Sequence, residues 1–174
     1  RHTADMSDLD SLKAQAVTAS LNSISPHAHA SCIPNEFSQC NDQEKILIRN
    51  QDVIFDCTAS DKLLNDLSQF DWQSEILFIS ASVGLYARRL FYFAFQGNYF
   101  PRELFVQSVN PYISKELDEY KGLELLREGV GCWHPVFPAR TDDIWLIASL
   151  VSKLFEYDYL NRPTNGVFRV YEQQ

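Results

Sequence analysis

No run of basic residues longer than the pair Arg88-Arg89 occurs in these 174 residues, whose formal net charge is −8 and whose pI is about 4.9. A chain this acidic has nothing with which to track a phosphate backbone, so nucleic acid is excluded as its main partner. Cysteine is scarce. Cys32, Cys40, Cys57 and Cys132 are too few for a disulfide scaffold, and no secretory signal peptide opens the sequence. Both absences point to a reducing, cytoplasmic compartment. No apolar run approaches the roughly 20 residues that a bilayer span needs. The most apolar segment, DDIWLIASLVSKLFEYDYL, contains Lys153 and is expected to be a core helix, so no membrane partner is expected. Internal repeats, low-complexity tracts and linkers are absent too, as is any Gly-x-Gly-x-x-Gly.

Apolar residues are plentiful by contrast. They make up 45% of the chain and include 12 Phe, 8 Tyr and 3 Trp, enough to offset the ordering entropy of a globular fold. The length suits one domain over residues 1–174. Leu9, Leu12, Ala16 and Ala19 recur at helical spacing from Asp8 to Ser23, with Ser7 and Asp8 as caps and Pro26 as terminator. HAHASCI alternates with period two and predicts a strand, followed by an exposed polar loop from Pro34 to Glu44. DVIFDC and EILFISASV read as buried strands either side of a helix, DKLLNDLSQF, the order of a right-handed parallel crossover and half of a doubly wound sheet. ARRLFYFAFQG, before the turn Gly97-Asn98, predicts another strand. Leu117, Tyr120 and Leu123 predict a helix from Ser114 to about Arg127. Thr141 or Asp142 caps a long helix with an inner stripe of Ile144, Ile147, Val151 and Leu154, and GVFRVYEQ closes the chain as a strand.

In an open parallel sheet, ligands sit at the carboxyl ends of the strands, where helix N-termini and loop groups converge. Asp56 ends its strand there, with the TASD turn after it. A carboxylate so placed can hold Mg²⁺, which neutralises nucleotide phosphate oxygens, or it can simply cap the next helix. His27, His29, Cys32 and Cys40 bring metal-ligand types close in sequence, with both histidines on one strand face. Without a Cys-x-x-Cys pair, a half-exposed strand is the simpler account, and no metal is assigned. Cys57, inside an apolar run, is expected to be a small buried residue. Phe91, Tyr92, Phe93, Phe95, Tyr99 and Phe100 either line a partner groove or pack the core.

Taken in order, RH, the KA pair of the first helix, SISP at its end, DVIFDCTAS and GCWHP resemble the second half of the ThiF/MoeB/ubiquitin-activating adenylating fold. SVGLYARRLF and GCWHP are similar in particular to bacterial ThiF-domain proteins fused to, or encoded beside, ubiquitin-conjugating-like domains. The resemblance implies an α/β fold: a Rossmann-like parallel or mixed sheet with helices on both faces, lacking the first nucleotide-binding strands. It implies ATP with Mg²⁺, phosphate contacts from Arg1 and Lys13, and partners in a ubiquitin-like modifier or protein C-terminus, a ubiquitin-conjugating-like domain and a second copy of the chain. Of the family's two motif acids, Asp56 matches the first. The second falls on Ala59 and leaves Asp61, shifted by two. Since the glycine-rich nucleotide loop is missing, the 174 residues alone are expected to bind ATP weakly or not at all, as a fragment, a processed product or a partner-dependent half.

Cys132 lies between Gly131 and the Trp133-His134-Pro135 triplet, in a stretch unsuited to helix or central strand. In the thioester-forming members of that family, a loop cysteine attacks the acyl-adenylate as thiolate. The resemblance gives Cys132 this role, with His134 exchanging a proton near pH 7. Alternatively, Cys132, Trp133, Val136 and Phe137 plug apolar residues under a loop. A zinc site is disfavoured, because Cys132 and His134 are too close to supply a tetrahedral set. Two readings follow: part of an adenylating, thioester-forming enzyme, or a ThiF-like interaction or dimerisation module that has lost adenylation. A free-standing cysteine hydrolase lacks a partner motif and ranks last.

Overall fold

The structure, a computed structural model, describes residues 11–24, 26–27, 29–119, 121 and 139–173. The chain divides into two compact units, residues 1–50 and 51–174.

In the first unit, α1 covers Lys13–Ile24 and buries Ala16. Leu9 and the expected caps Ser7 and Asp8 lie outside the described residues. The strand expected over HAHASCI does not form: His27 is in a turn, and residues 29–33 carry no regular structure. The side chain of Asn22 explains why. Its amide donates to the Ala30 carbonyl at 2.9 Å and its oxygen accepts from the Ala30 N–H at 2.7 Å, doing for that backbone what a neighbouring strand would have done. The loop expected from Pro34 to Glu44 is shorter than predicted, because it holds a single 3₁₀ turn at Phe37–Gln39 and gives way to α2, Asp42–Arg49. A capping box starts α2: Asn41 Oδ1 accepts from the Glu44 N–H, and Glu44 Oε2 accepts from the Asn41 N–H.

The second unit is built on four strands in the order β1 (Val53–Asp56), β2 (Ile76–Val83), β3 (Arg89–Gly97) and β4 (Val167–Glu172). β1 and β2 are parallel and joined through α3, Asp61–Gln69, as the crossover pattern predicted. β2–β3 and β3–β4 are antiparallel, so the sheet is mixed. The connection from Gly84 to Arg88 is too short for a crossover helix and returns the chain antiparallel. Helices cover both faces, consistent with a Rossmann-like α/β fold.

Strand alternation decides which side chains meet which helix. On one face, Leu77, Ile79, Ala81, Leu90, Tyr92 and Ala94 form a buried cluster with Ile147 and Leu154 of α5, Thr141–Asn161, and Ile144 and Val151 pack against it. The predicted α5 stripe therefore holds. Its N-cap is Arg140, without a side-chain cap, rather than Thr141 or Asp142. On the other face, Phe78, Phe93 and Phe95 pack with Leu64 and Leu67 of α3, Trp72, Phe100, and Phe105 and Val109 of α4, Arg102–Glu119. Ring centroids run 5.1 Å from Trp72 to Phe78, 5.9 Å on to Phe100 and 6.0 Å from Phe100 to Phe93. Trp72 Nε1 donates to the Leu67 carbonyl at 2.9 Å. The aromatic series offered as a partner groove is thus core, with only Tyr99 exposed.

α4 begins at Arg102 rather than Ser114 and runs through Pro111. Proline forfeits the bond to the Gln107 carbonyl, which normally argues for a break, but burial of Phe105 and Val109 ahead of it and Glu116 beyond it holds the helix together. Two ionic clusters tie the layers. Arg89, buried on β3, donates to Glu119 at 2.8 Å and Glu172 at 2.7 Å and lies 3.4 Å from Glu116. Arg169 on β4 makes a bidentate pair with Asp158 of α5 at 2.6 and 2.9 Å.

Candidate active-site rim

Asp56 stands at the carboxyl end of β1, as the sequence predicted, and it is only 3% exposed. One carboxylate oxygen accepts from the Thr58 N–H at 2.9 Å and the Thr58 hydroxyl at 2.7 Å. The other accepts from the hydroxyl of Ser80, its register partner on β2, at 3.0 Å. Asp56 is not the cap of α3; Ser60 is, accepting from the Leu63 N–H at 3.3 Å. An acid two residues before a threonine is the sequence signal for this side-chain turn. The Ser80 contact had no local signal.

Between Thr58 and Ser60, Ala59 adopts a left-handed backbone with φ 52°. Asp61, the first residue of α3, is exposed, where its charge complements the helix N-terminus. Mg²⁺ takes one or two carboxylates and completes its shell with phosphate oxygens and water. In this turn Asp61 is the carboxylate open to a cleft, while both oxygens of Asp56 already serve the fold.

Two clefts flank this rim, and Ala59, Ser82 and Val83 border both. One, of about 440 Å³, lies on the α5 face against Leu90, Ile144 and Ile147. The other, of about 520 Å³, lies on the α3/α4 face and takes in Asp61, Ser80 and Arg102. Cys57, expected to be buried, is exposed and borders the first cleft, because β1 ends one residue before it. Partial burial, and then the charge of Asp56, hold its thiol above the usual cysteine range, so it is the weaker nucleophilic form at pH 7. Cys40 is buried, with Sγ 3.6 Å from the Glu36 carbonyl. Among the described residues, no group of three or more His, Cys, Asp or Glu can hold a metal ion, so His27, His29, Cys32 and Cys40 are not gathered into one.

Lys13 opens α1 and is exposed, in the first unit, while Asp56 and Asp61 belong to the second. Arg1, Cys132 and His134 lie outside the described residues. The α/β layers and carboxyl-end rim define a class, a Rossmann-like domain with its candidate chemistry at one edge. No protein-family model matches the chain. It is similar to the ATP-dependent ubiquitin transferase-like protein Cap2 of Enterobacter hormaechei subsp. hoffmannii (strain UCI 50), with 38% identity over 172 residues, covering 99% of this chain and 27% of that protein. The relationship is thus to a ubiquitin-transferase-like protein, of whose length the chain spans 27%. No helix among the described residues is long and apolar enough to cross a membrane.

Proposed function

We propose that this chain is part of an ATP-dependent, ubiquitin-activating-like protein of the ThiF type, which adenylates the C-terminal carboxylate of a protein or ubiquitin-like modifier and carries it as a thioester on Cys132. The observation that carries the reading is the 38% identity, over 99% of the chain, with a relative named as an ATP-dependent ubiquitin transferase-like protein. In the first step a substrate carboxylate oxygen attacks the α-phosphorus of ATP, and an acyl–phosphate bond forms as pyrophosphate leaves. Arg1 and Lys13 offset phosphate charge as the pentavalent centre develops. Mg²⁺, when bound, neutralises phosphate oxygens. Asp56, which matches the first motif acid, fixes the turn, and Asp61, two positions beyond the second, borders a cleft. In the second step Cys132 passes its proton to His134, its sulfur attacks the acyl carbon, and the bond to AMP breaks as the thioester forms.

The full-length protein bearing this sequence, incubated with Mg-ATP and a modifier, should release AMP and pyrophosphate and form an adduct cleaved by thiol reductants. A Cys132→Ala variant should form none. An adduct that survives this substitution would remove the assigned nucleophile. A second reading, an inactive module that dimerises or docks a ubiquitin-conjugating-like domain, draws support from Trp145, Leu146, Tyr157 and Leu160, all more than half exposed on α5. On that reading no ATP is consumed, and the association survives Cys132→Ala.

A further inference from the structure

We infer that the α3/α4 side of the second unit binds a single-chain amphiphilic anion, with its carboxylate or phosphate head on Arg102 and its apolar chain laid along α4. Among the described residues no carboxylate pairs with Arg102, a half-buried side chain whose Nε is fully buried and has no hydrogen-bond partner. A buried donor held in that state costs free energy that an anion accepting from it would recover.

Arg102 stands where two clefts meet. It borders both the 520 Å³ cleft and another of about 460 Å³ formed with Asn65, Ser68, Gln69 and Tyr99. The smaller cleft opens at the first turn of α4, so the side-chain amides of Asn65 and Gln69 and the positive end of the helix border a head group, while the Ser68 hydroxyl already donates to the Asn65 carbonyl. Glu103 also borders it and opposes an anion, but it is exposed and screened by solvent.

The larger cleft is lined by Phe91, Phe105, Val106, Val109 and Ile113. From Phe105 to Ile113, α4 rises about 12 Å at about 1.5 Å per residue, the reach of a medium-length acyl chain. Beyond it stand Asp61, at the rim, and Glu116, which faces Arg89. Acids at the far end disfavour a second anionic group there, so the fit is to an amphiphile with one head.

Calorimetric titration of the 174-residue chain, below micelle-forming concentrations, tests this with decanoate, decyl phosphate, decanol and decyltrimethylammonium. Decanoate or decyl phosphate should bind at least about tenfold tighter than decanol, as expected of a charge-assisted hydrogen bond, and the cationic amphiphile should not bind. The tighter of the two anions identifies the head group. Arg102→Gln should erase the preference for anions, and Val109→Trp should weaken every ligand that binds. Equal affinity for decanoate and decanol in the unaltered protein would overturn the inference without any variant, as would undiminished decanoate binding by folded Arg102→Gln protein. Neither ATP nor Cys132 enters these measurements, so their outcome is independent of the adenylation reading.

Discussion

Replacing Arg169 with methionine isolates the cost of stranding one buried charge. Asp158 faces inward from α5 at 1% exposure, and the two guanidinium contacts from β4, at 2.6 and 2.9 Å, are what compensate it. The nearby Tyr92 side chain is also buried. Its acidity is suppressed first by burial and then by Asp158, so it stays neutral and cannot replace the lost cation. Methionine keeps an unbranched stem and deletes the guanidinium, and with it the placement of Cζ 5.7 Å from the Tyr92 and Tyr157 ring centroids. Removing one member of a buried pair costs about 3–5 kcal/mol. Because the Arg169 side chain is 21% exposed, solvent screens part of the pair and the loss should fall near the lower end, about 3 kcal/mol. That is a large share of the roughly 5–15 kcal/mol that holds a domain folded. Urea unfolding at pH 7, followed by circular dichroism, should show the midpoint lowered by about 1–3 M. The double variant Arg169→Met with Asp158→Leu, which buries no unpaired charge, should recover most of the loss. A single variant less than about 1 kcal/mol below the parent, or a double variant no better than the single, would refute the argument.

Two further outcomes follow from the same clusters and turns. The hydrogen bond from Arg89 holds the Glu172 carboxyl below its ordinary value of 4.5, so the pair's contribution is present above that pH and is lost as pH falls through the depressed folded value. Thermal melts of Glu172→Gln should therefore lie below those of the parent at pH 7 and converge with them toward pH 3; a constant gap across that range would contradict the assignment. At Ala59, whose φ of 52° is unfavourable for a residue with a Cβ, glycine should raise the melting temperature by a few degrees, corresponding to relief of up to about 1 kcal/mol. A drop would mean that the methyl group packs more strongly than the backbone is strained.

The β1–α3–β2 crossover was legible because its signals are local: two apolar runs closed by polar residues, with a helix between them opened by Ser60 and Asp61. The α5 stripe was legible for the same reason. Misreadings arose where a residue far along the chain supplied the deciding contact. The alternation in HAHASCI looks like a strand, yet the side chain of Asn22 already satisfies Ala30. The helix expected from Ser114 begins at Arg102, because tertiary burial on both sides of Pro111 overrides the bond lost there. The aromatic series is ambiguous from sequence because exposure depends on which elements cover β3, and the sequence reading starts α4, whose Phe105 packs on Phe93, too late. Cys57 was misplaced by a single residue, enough to move it from the strand to the edge of a cleft.

The rim turn shows what a motif can and cannot carry. From Asp56 to Asp61 the six residues divide their tasks. Asp56 takes Thr58 and Ser80 and so locks the end of β1 onto β2, Ala59 supplies the left-handed bend, Ser60 caps α3, and Asp61 alone presents a carboxylate to a cleft. Asp56 thus accepts hydrogen bonds that shape the turn, while Asp61, displaced by two positions from the motif, borders a cleft. The two should part under substitution. Loss of the Asp56 carboxylate strands the buried Ser80 hydroxyl, releases the turn at Thr58 and acts on folding first, whereas loss of the Asp61 carboxylate leaves the sheet intact and acts on whatever occupies the cleft.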